Sequence, residues 1–251
     1  MFDTHAHLTD SAFSNDVYSV INKAFSSGIS GIITIAINLK DSLKCIYLSQ
    51  KYDTIYATAG VHPHEAYSWD EKTIETIQSH IDEIVALGEI GLDFHYNFAP
   101  KDLQIEILKT QLDFAVQISK PVVIHCREAF GDLKNIFKQY PDSKLSGVIH
   151  CFSGNDEDAK FFIKKGFFLS YGGIITFPNA KETIKTLKSI PVERVLLETD
   201  SPYLSPTPIR GKRNTPENIH YIYSKYSEIT GIPIKKITDR LRKNIQECFR
   251  I

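Results

Sequence analysis

The first seven residues, Met1-Phe2-Asp3-Thr4-His5-Ala6-His7, set an acid and two imidazoles at alternate positions. Alternate side chains of an extended strand share a face, so Asp3, His5 and His7 would point the same way. Two imidazoles on one face can chelate a metal ion. An isolated His-x-His carries little meaning, so the pair needs partners elsewhere. His62 and His64 come next, then Glu89 with Asp93 and His95 close behind, then His125, His150, Glu198 and Asp200. All lie within or just after short apolar runs. Of nine histidines, only His80 and His220 fall in helix-like stretches.

Imidazole and carboxylate donors without thiolate suit Zn²⁺, Mn²⁺ or Mg²⁺, whereas a closed structural zinc site usually enlists cysteine. There are more donors here than one tetrahedral ion takes. That points to two divalent ions about 3.5–4 Å apart, with a carboxylate between them. Glu89, central in the set, is the candidate bridge. Paired cations acidify a bound water and polarise a carbonyl or phosphoryl oxygen, which is hydrolytic chemistry. Asp200 could bind one ion and accept the water's proton, and Glu198 is its alternative as base. Asp3 is open to two readings, orienting a ligand histidine or lying at the surface. Cys126 and Cys151 each follow a histidine directly, so on strands they are predicted to face away as small core residues.

What could hold these groups together? The apolar, β-branched runs begin near Phe2, Gly31, Ile55, Ile84, Pro121, Ser146, Gly166 and Arg194. Their nearly continuous apolarity predicts parallel strands buried on both faces. Helical segments lie between them. Leu103, Ile107, Leu108, Leu112 and Ala115 form one stripe, and Asn155 to Gly166 starts with acids and ends at glycine. Eight such units over 251 residues predict a single (β/α)8 TIM barrel spanning 1–251, with reactive groups at the strands' C-terminal ends. A doubly wound open sheet is the competing topology, but no GxGxxG loop follows an early strand.

Composition sets further limits. Thirty acidic residues against 29 lysines and arginines leave a net charge of −1, so nucleic-acid binding would need a local patch or bound cations. Four scattered cysteines with no CxxC pair suggest reduced thiols rather than a disulfide framework. No apolar run approaches the roughly 20 residues of a membrane span, and the start lacks a signal-peptide pattern. A cytoplasmic protein is expected, with no membrane association and no obligate protein partner.

The motifs THAHL, AGVHPH, GEIGLDF, VIHCREA, IHCFSG, LETDSPYL and RGKRNTP, in this order from Asp3 to Pro216, resemble the TatD family of metal-dependent hydrolases among the amidohydrolase-like barrels. The resemblance implies His5, His7, Glu89, His125, His150 and Asp200 as ligands of two divalent ions. It implies cleavage of DNA phosphodiesters, commonly by 3′-to-5′ exonuclease action on single strands, with His62 and Arg127 near the phosphate. One departure is Thr215, where many members carry an acid. Independent support for nucleic acid is modest. Arg210, Lys212 and Arg213 could hold phosphates or form an ordinary solvated loop. Phe94, Tyr96 and Phe98 could stack on unpaired bases or pack the barrel rim, and Tyr171 and Tyr203 share that ambiguity. Two rival readings are a hydrolase of a small amide, an ester or an aminoacyl-tRNA ester at the same dinuclear site, and a non-catalytic barrel.

Overall fold

The computed structural model describes residues 1–251. Each apolar run contains one strand: β1 (Phe2–Ala6), β2 (Gly31–Thr34), β3 (Ile55–Ala59), β4 (Ile84–Asp93), β5 (Val122–Arg127), β6 (Gly147–Ile149), β7 (Phe168–Tyr171) and β8 (Val195–Leu197). The eight strands form one sheet in chain order, and every pairing is parallel. A parallel bridge between Ala6 and Ser201 brings the last strand round to the first, giving a nearly closed TIM barrel. The open doubly wound sheet is therefore excluded.

The outer ring is built of α1 (Val17–Ser26), α2 (Leu39–Lys51), α3 (Glu71–Ser79), α4 (Lys101–Ile118), α5 (Phe130–Phe137), α6 (Asp156–Lys164), α7 (Lys181–Ser189), α8 (Ile219–Thr230) and α9 (Ile234–Phe249). The acidic start predicted after residue 154 is a capping box, in which Asn155 and Asp158 satisfy each other's backbone amides. The stripe on α4 buries Leu108, Leu112 and Ala115, together with two glutamines. Gln104 accepts from Asp93 N and donates to Asp93 O, and Gln111 does the same for Val61. Each amide side chain thus fixes a strand end at the barrel top, where backbone groups have lost their ladder partners.

The barrel interior is a cluster of its own. Ile33, Ala86, Val123, Val148, Phe168 and Leu196 point inward, and Ile245, Cys248 and Phe249 of α9 pack with them. The neighbours Ile32, Val122, Ile149, Leu169 and Val195 belong to the larger layer between sheet and helices. This alternation decides where polar groups go. Two residues beyond Val123 stands His125, two beyond Val148 stands His150, and beyond Leu196 come Glu198 and Asp200.

On β4 the rule needs a correction, because Ala86 and Glu89 differ in parity yet both face inward. The β4–β5 register slips between Leu87 and Ile90, and that irregularity turns Glu89 into the barrel. Glycines permit it. Gly88 has φ +125° and Gly91 φ +148°, and a Cβ on Gly91 would lie 1.9 Å from the His125 carbonyl oxygen.

The close approach at Gly91 gives a test. Gly91→Ala is expected to cost about 2 kcal/mol or more, lowering Tm by about 5 °C or more for a chain of this size. Because the clash falls on the His125 backbone, metal content should drop in the same variant. A thermal melt and elemental analysis check both; a variant with unchanged Tm would show that β4 and β5 can part there without loss.

Candidate metal centre and active site

Five strands deliver the predicted donors to one place. His5 and His7 come from β1 and its end, Glu89 from β4, His125 from β5, His150 from just past β6 and Asp200 from the loop after β8. All are buried or nearly so, with Glu89 3% exposed. Glu89 Oε2 lies 3.5 Å from both His5 Nε2 and His7 Nε2. Asp200 Oδ1 closes the group at 3.6 Å from His5 and 3.4 Å from His7, and the two Nε2 atoms are 3.3 Å apart. These donor atoms crowd one point as the ligands of a single divalent ion would, and imidazole nitrogen with carboxylate oxygen suits Zn²⁺ among others.

The other oxygen of Glu89 faces a second set. Oε1 is 2.9 Å from His125 Nδ1 and 3.1 Å from His150 Nε2. One carboxylate therefore addresses two donor groups with two different oxygens, the placement a bridging ligand requires. His62 Nε2 also lies 3.7 Å from Oε1. Its Nδ1 accepts from the His64 amide at 3.1 Å, so a neutral His62 ring carries its proton on Nε2. That makes His62 a hydrogen-bond donor toward the centre rather than a ligand.

Two buried acids orient these donors, and a third lies beneath them. Asp93 Oδ2 accepts from His125 Nε2 at 3.0 Å, while its Oδ1 takes the amides of His95 and Tyr96. Glu198 Oε1 is 3.1 Å from His150 Nδ1 and also accepts the Cys151 amide, and its Oε2 is held by Ser170. Each presses the opposite ring nitrogen toward Glu89 and fixes the tautomer. Glu198 has both oxygens engaged and is not placed as a base. Asp3 is fully buried, so the surface reading fails. It holds no ring, however: its oxygens accept from Thr199 N, Thr199 Oγ1 and His5 N, tying β1 to β8. Burial pushes its carboxyl up to about 8 despite those three donors.

Charge is distributed accordingly. Burial holds the His5 imidazole down, aided by the charge of His150, and takes His62 well below its usual range. Burial also pulls on His7, His125 and His150, but their carboxylate partners overcome it. Asp200 raises His7, Asp93 and Glu89 raise His125, and Glu198 with Glu89 lifts His150 well above its ordinary value. Burial works against the charges of Glu89 and Asp200, yet the surrounding imidazoles hold both carboxyls below the usual range.

The centre floors an open cavity of about 930 Å³ whose wall includes His62, Arg127, Tyr96 and Tyr203. The Arg127 guanidinium lies over the Tyr96 ring at 4.9 Å. Phe98, 63% exposed, packs its ring 4.7 Å from His64 at the rim. Phe94 is half-buried against the core, and Tyr171 is buried in it.

The basic loop after β8 is not brought to this cavity. Arg213 is spent on Asp16 through two hydrogen bonds, 2.9 and 2.6 Å, and on the Ala12 carbonyl. Arg210 lies over the Phe177 ring at 3.7 Å, and neither it nor Lys212 lines the wall. What matters in that loop is Asn214, fully buried, whose Nδ2 donates to the carbonyls of Thr199 and Tyr203 and so holds the turn bearing Asp200. Thr215 stands at the N-terminal boundary of the short helix that follows, and its hydroxyl accepts from Asn218 Nδ2. Cys126 packs in the core, as its parity predicts, and also borders the cavity. Cys151 does not pack there: β6 stops at Ile149, and Cys151 turns with φ 44° into the cavity wall. Glu128, Cys151 and Asp200, each just past a strand, all have positive φ.

A parallel eight-stranded barrel with imidazole and carboxylate donors gathered at its strand ends defines a metal-dependent hydrolase. The family model described as TatD related DNase matches residues 2–250, and the chain belongs to that family. It is 36% identical over 253 residues to the metal-dependent hydrolase YabD of Bacillus subtilis, covering 100% of this chain and 99% of that one. It is 31% identical over 258 residues to the 3′-5′ ssDNA/RNA exonuclease TatD of Escherichia coli K12, covering 100% and 99%. Among solved structures, the E. coli TatD homolog YjjV superposes with a TM-score of 0.93 at 28% identity, covering 100% of this chain and 98% of that one.

Two measurements follow from the electrostatics. His7, His125 and His150 carry raised pKa values, hold protons as pH falls, and must release them to ligate. Divalent-ion affinity should therefore fall roughly tenfold or more from pH 8 to pH 6. Calorimetry in buffers of different ionisation enthalpy should show proton release on binding; pH-independent affinity would overturn the assignment. Glu198→Gln should weaken metal affinity by about 10–100-fold with the fold intact, a titration with circular dichroism as control.

Proposed function

We propose that residues 1–251 act as one catalytic domain, a two-metal phosphodiesterase that trims single-stranded DNA from its 3′ end. The observation that carries this reading is Glu89, whose two oxygens face two donor sets at the floor of an open cavity. His5, His7, Glu89 and Asp200 would hold one ion, and Glu89, His125 and His150 the other. Mg²⁺, Mn²⁺ and Zn²⁺ all suit these donors. Two divalent ions, when bound, supply an acidified water and offset the charge gathering on the phosphoryl oxygens.

The rest of the work falls to side chains. Asp200 turns Oδ1 to His5 and His7, which leaves Oδ2 without a protein partner and free to accept the water's proton. The imidazoles around it keep the carboxylate ionised and ready. His62 presents Nε2–H toward the centre as a neutral donor, suited to a phosphoryl or leaving oxygen. Arg127, steadied on Tyr96, adds a permanent cation at the wall. Tyr96 and Phe98 offer aromatic faces on which a terminal base could stack. All candidate ligands come from one chain. The polynucleotide substrate and the 3′ polarity are supported by the family and by the named activity of the E. coli relative.

End-labelled oligonucleotides, single- and double-stranded, incubated with one added metal at a time, test the reading. A ladder shrinking from the 3′ end of the single strand is expected, with activity lost to chelator and restored by divalent ions. Intact oligonucleotides beside hydrolysed small esters would overturn it. Asp200→Asn should lower turnover by at least about 10²-fold, the scale of a lost general base, with a smaller loss in substrate binding. Near-normal turnover in that variant would remove Asp200 from the base role.

A further inference from the structure

The cavity is larger than one phosphodiester needs, and its cations are not where the sequence pattern suggested. Beyond the metal donors the void extends over the β2 side of the barrel, along Asp10, Asn38, Lys40, Asp41 and Lys44. Strand β2 contributes no candidate ligand, so this wall is free of the metal centre. Lys40 and Lys44 stand four residues apart on α2, which places them on one helix face with neighbouring Cβ atoms. Both are exposed on that wall, and neither joins an ion pair among the chain's salt bridges.

Acids share the wall, but two of them are spent on the protein itself. Asp10 accepts from Tyr203 Oη at 2.7 Å and from the Ala12 amide at 2.6 Å. Asp41 accepts the Ile37 amide at 3.2 Å. Glu65, from the loop after β3, has no hydrogen-bond partner, so three carboxylates border the two lysines. Those of Asp10 and Asp41 are held in place by neutral donors, and no ion pair ties Lys40 or Lys44 to any of the three. The cations of the loop after β8 show the opposite case, with Arg213 neutralised by Asp16 and Arg210 covering Phe177.

We infer that Lys40 and Lys44 form a backbone track, holding the non-reacting phosphates of a single-stranded polynucleotide that leaves the metal centre across the β2 wall. This rests on the nuclease reading and adds the path of the strand. Two flexible ammonium groups in water suit phosphates that must slide past after each cut, because Lys binds as a point charge without fixed geometry. The contacts carry no base information, so they serve any sequence. They also favour length, because a longer strand brings more non-reacting phosphates to the wall.

The test uses the metal-loaded enzyme, a phosphorothioate decamer as the binding probe, and bis(p-nitrophenyl) phosphate as a substrate too short to reach α2. In the double variant Lys40→Gln, Lys44→Gln, decamer affinity at low salt should fall about tenfold and the log–log salt slope should flatten by about 1.4, at about 0.7 per phosphate contact. The small diester should be cut within about twofold of the normal rate. The double variant Arg210→Gln, Lys212→Gln should leave decamer affinity and slope in place. Unchanged affinity and slope in the α2 variant would overturn the track while the nuclease reading stands. Equal losses on decamer and small diester would also overturn it, because the lysines would then shape the centre itself. A wild-type enzyme that cuts the small diester but no oligonucleotide would bring down the nuclease reading, and the track with it.

Discussion

Glu89 carries a negative charge to the inner end of the barrel, where water is scarce, and it is ringed by His5, His7, His62, His125 and His150. An isolated ionised carboxylate in such a place would be very costly, so positive charge must accompany it. Protons on the imidazoles can supply that charge, and so can divalent ions. The two compete for the same nitrogens. Much of the surrounding structure serves to keep the competition balanced at this spot. Asp93 and Glu198 hold the rings so that lone pairs, once freed, face inward. The slip in β4 and its two glycines exist to turn this single carboxylate inward.

The seam between β8 and β1 depends on the same requirement, since His5 and His7 sit on one side and Asp200 on the other. Asp200 N donates to His5 O at 2.9 Å and His7 N to Ser201 O at 2.7 Å, so backbone bonds set the distance between the donors. Asp3 adds its clamp on Thr199 from below, and Asn214 braces the outer turn. The left-handed backbone at Asp200, and likewise at Glu128 and Cys151, costs on the order of 1 kcal/mol or more per residue. Such conformations persist because the hydrogen bonds around them over-determine the chain.

Much of this was legible in sequence because burial writes a simple pattern. Parallel strands covered on both faces read as apolar runs, and all eight appear where those runs stand. A polar residue ending such a run has to face the barrel's mouth, and this pattern locates His5, His125 and His150. What alternation cannot show is a change of parity or an early stop. Glu89 faces inward only through an irregularity in β4, and Cys151 escapes the core because β6 ends two residues before it. Nor can local sequence show which charges meet. Arg213 finds Asp16 nearly two hundred residues away, while Lys40 and Lys44 reach the cavity from a helix that looks like any amphipathic surface element.

The seam bears on how the chain comes apart. An ion held by His5, His7 and Asp200 would join the first strand to the last, closing almost the entire chain into one ring. A link of that span removes much conformational freedom from any opened state, since loop-closure entropy grows with the length enclosed. The seam's own backbone pairing is thin, with Ala6 and Ser201 as its bridge. Opening the barrel there and releasing the ion would thus be one event, and the rate at which metal exchanges would measure the rate at which the ring is broken.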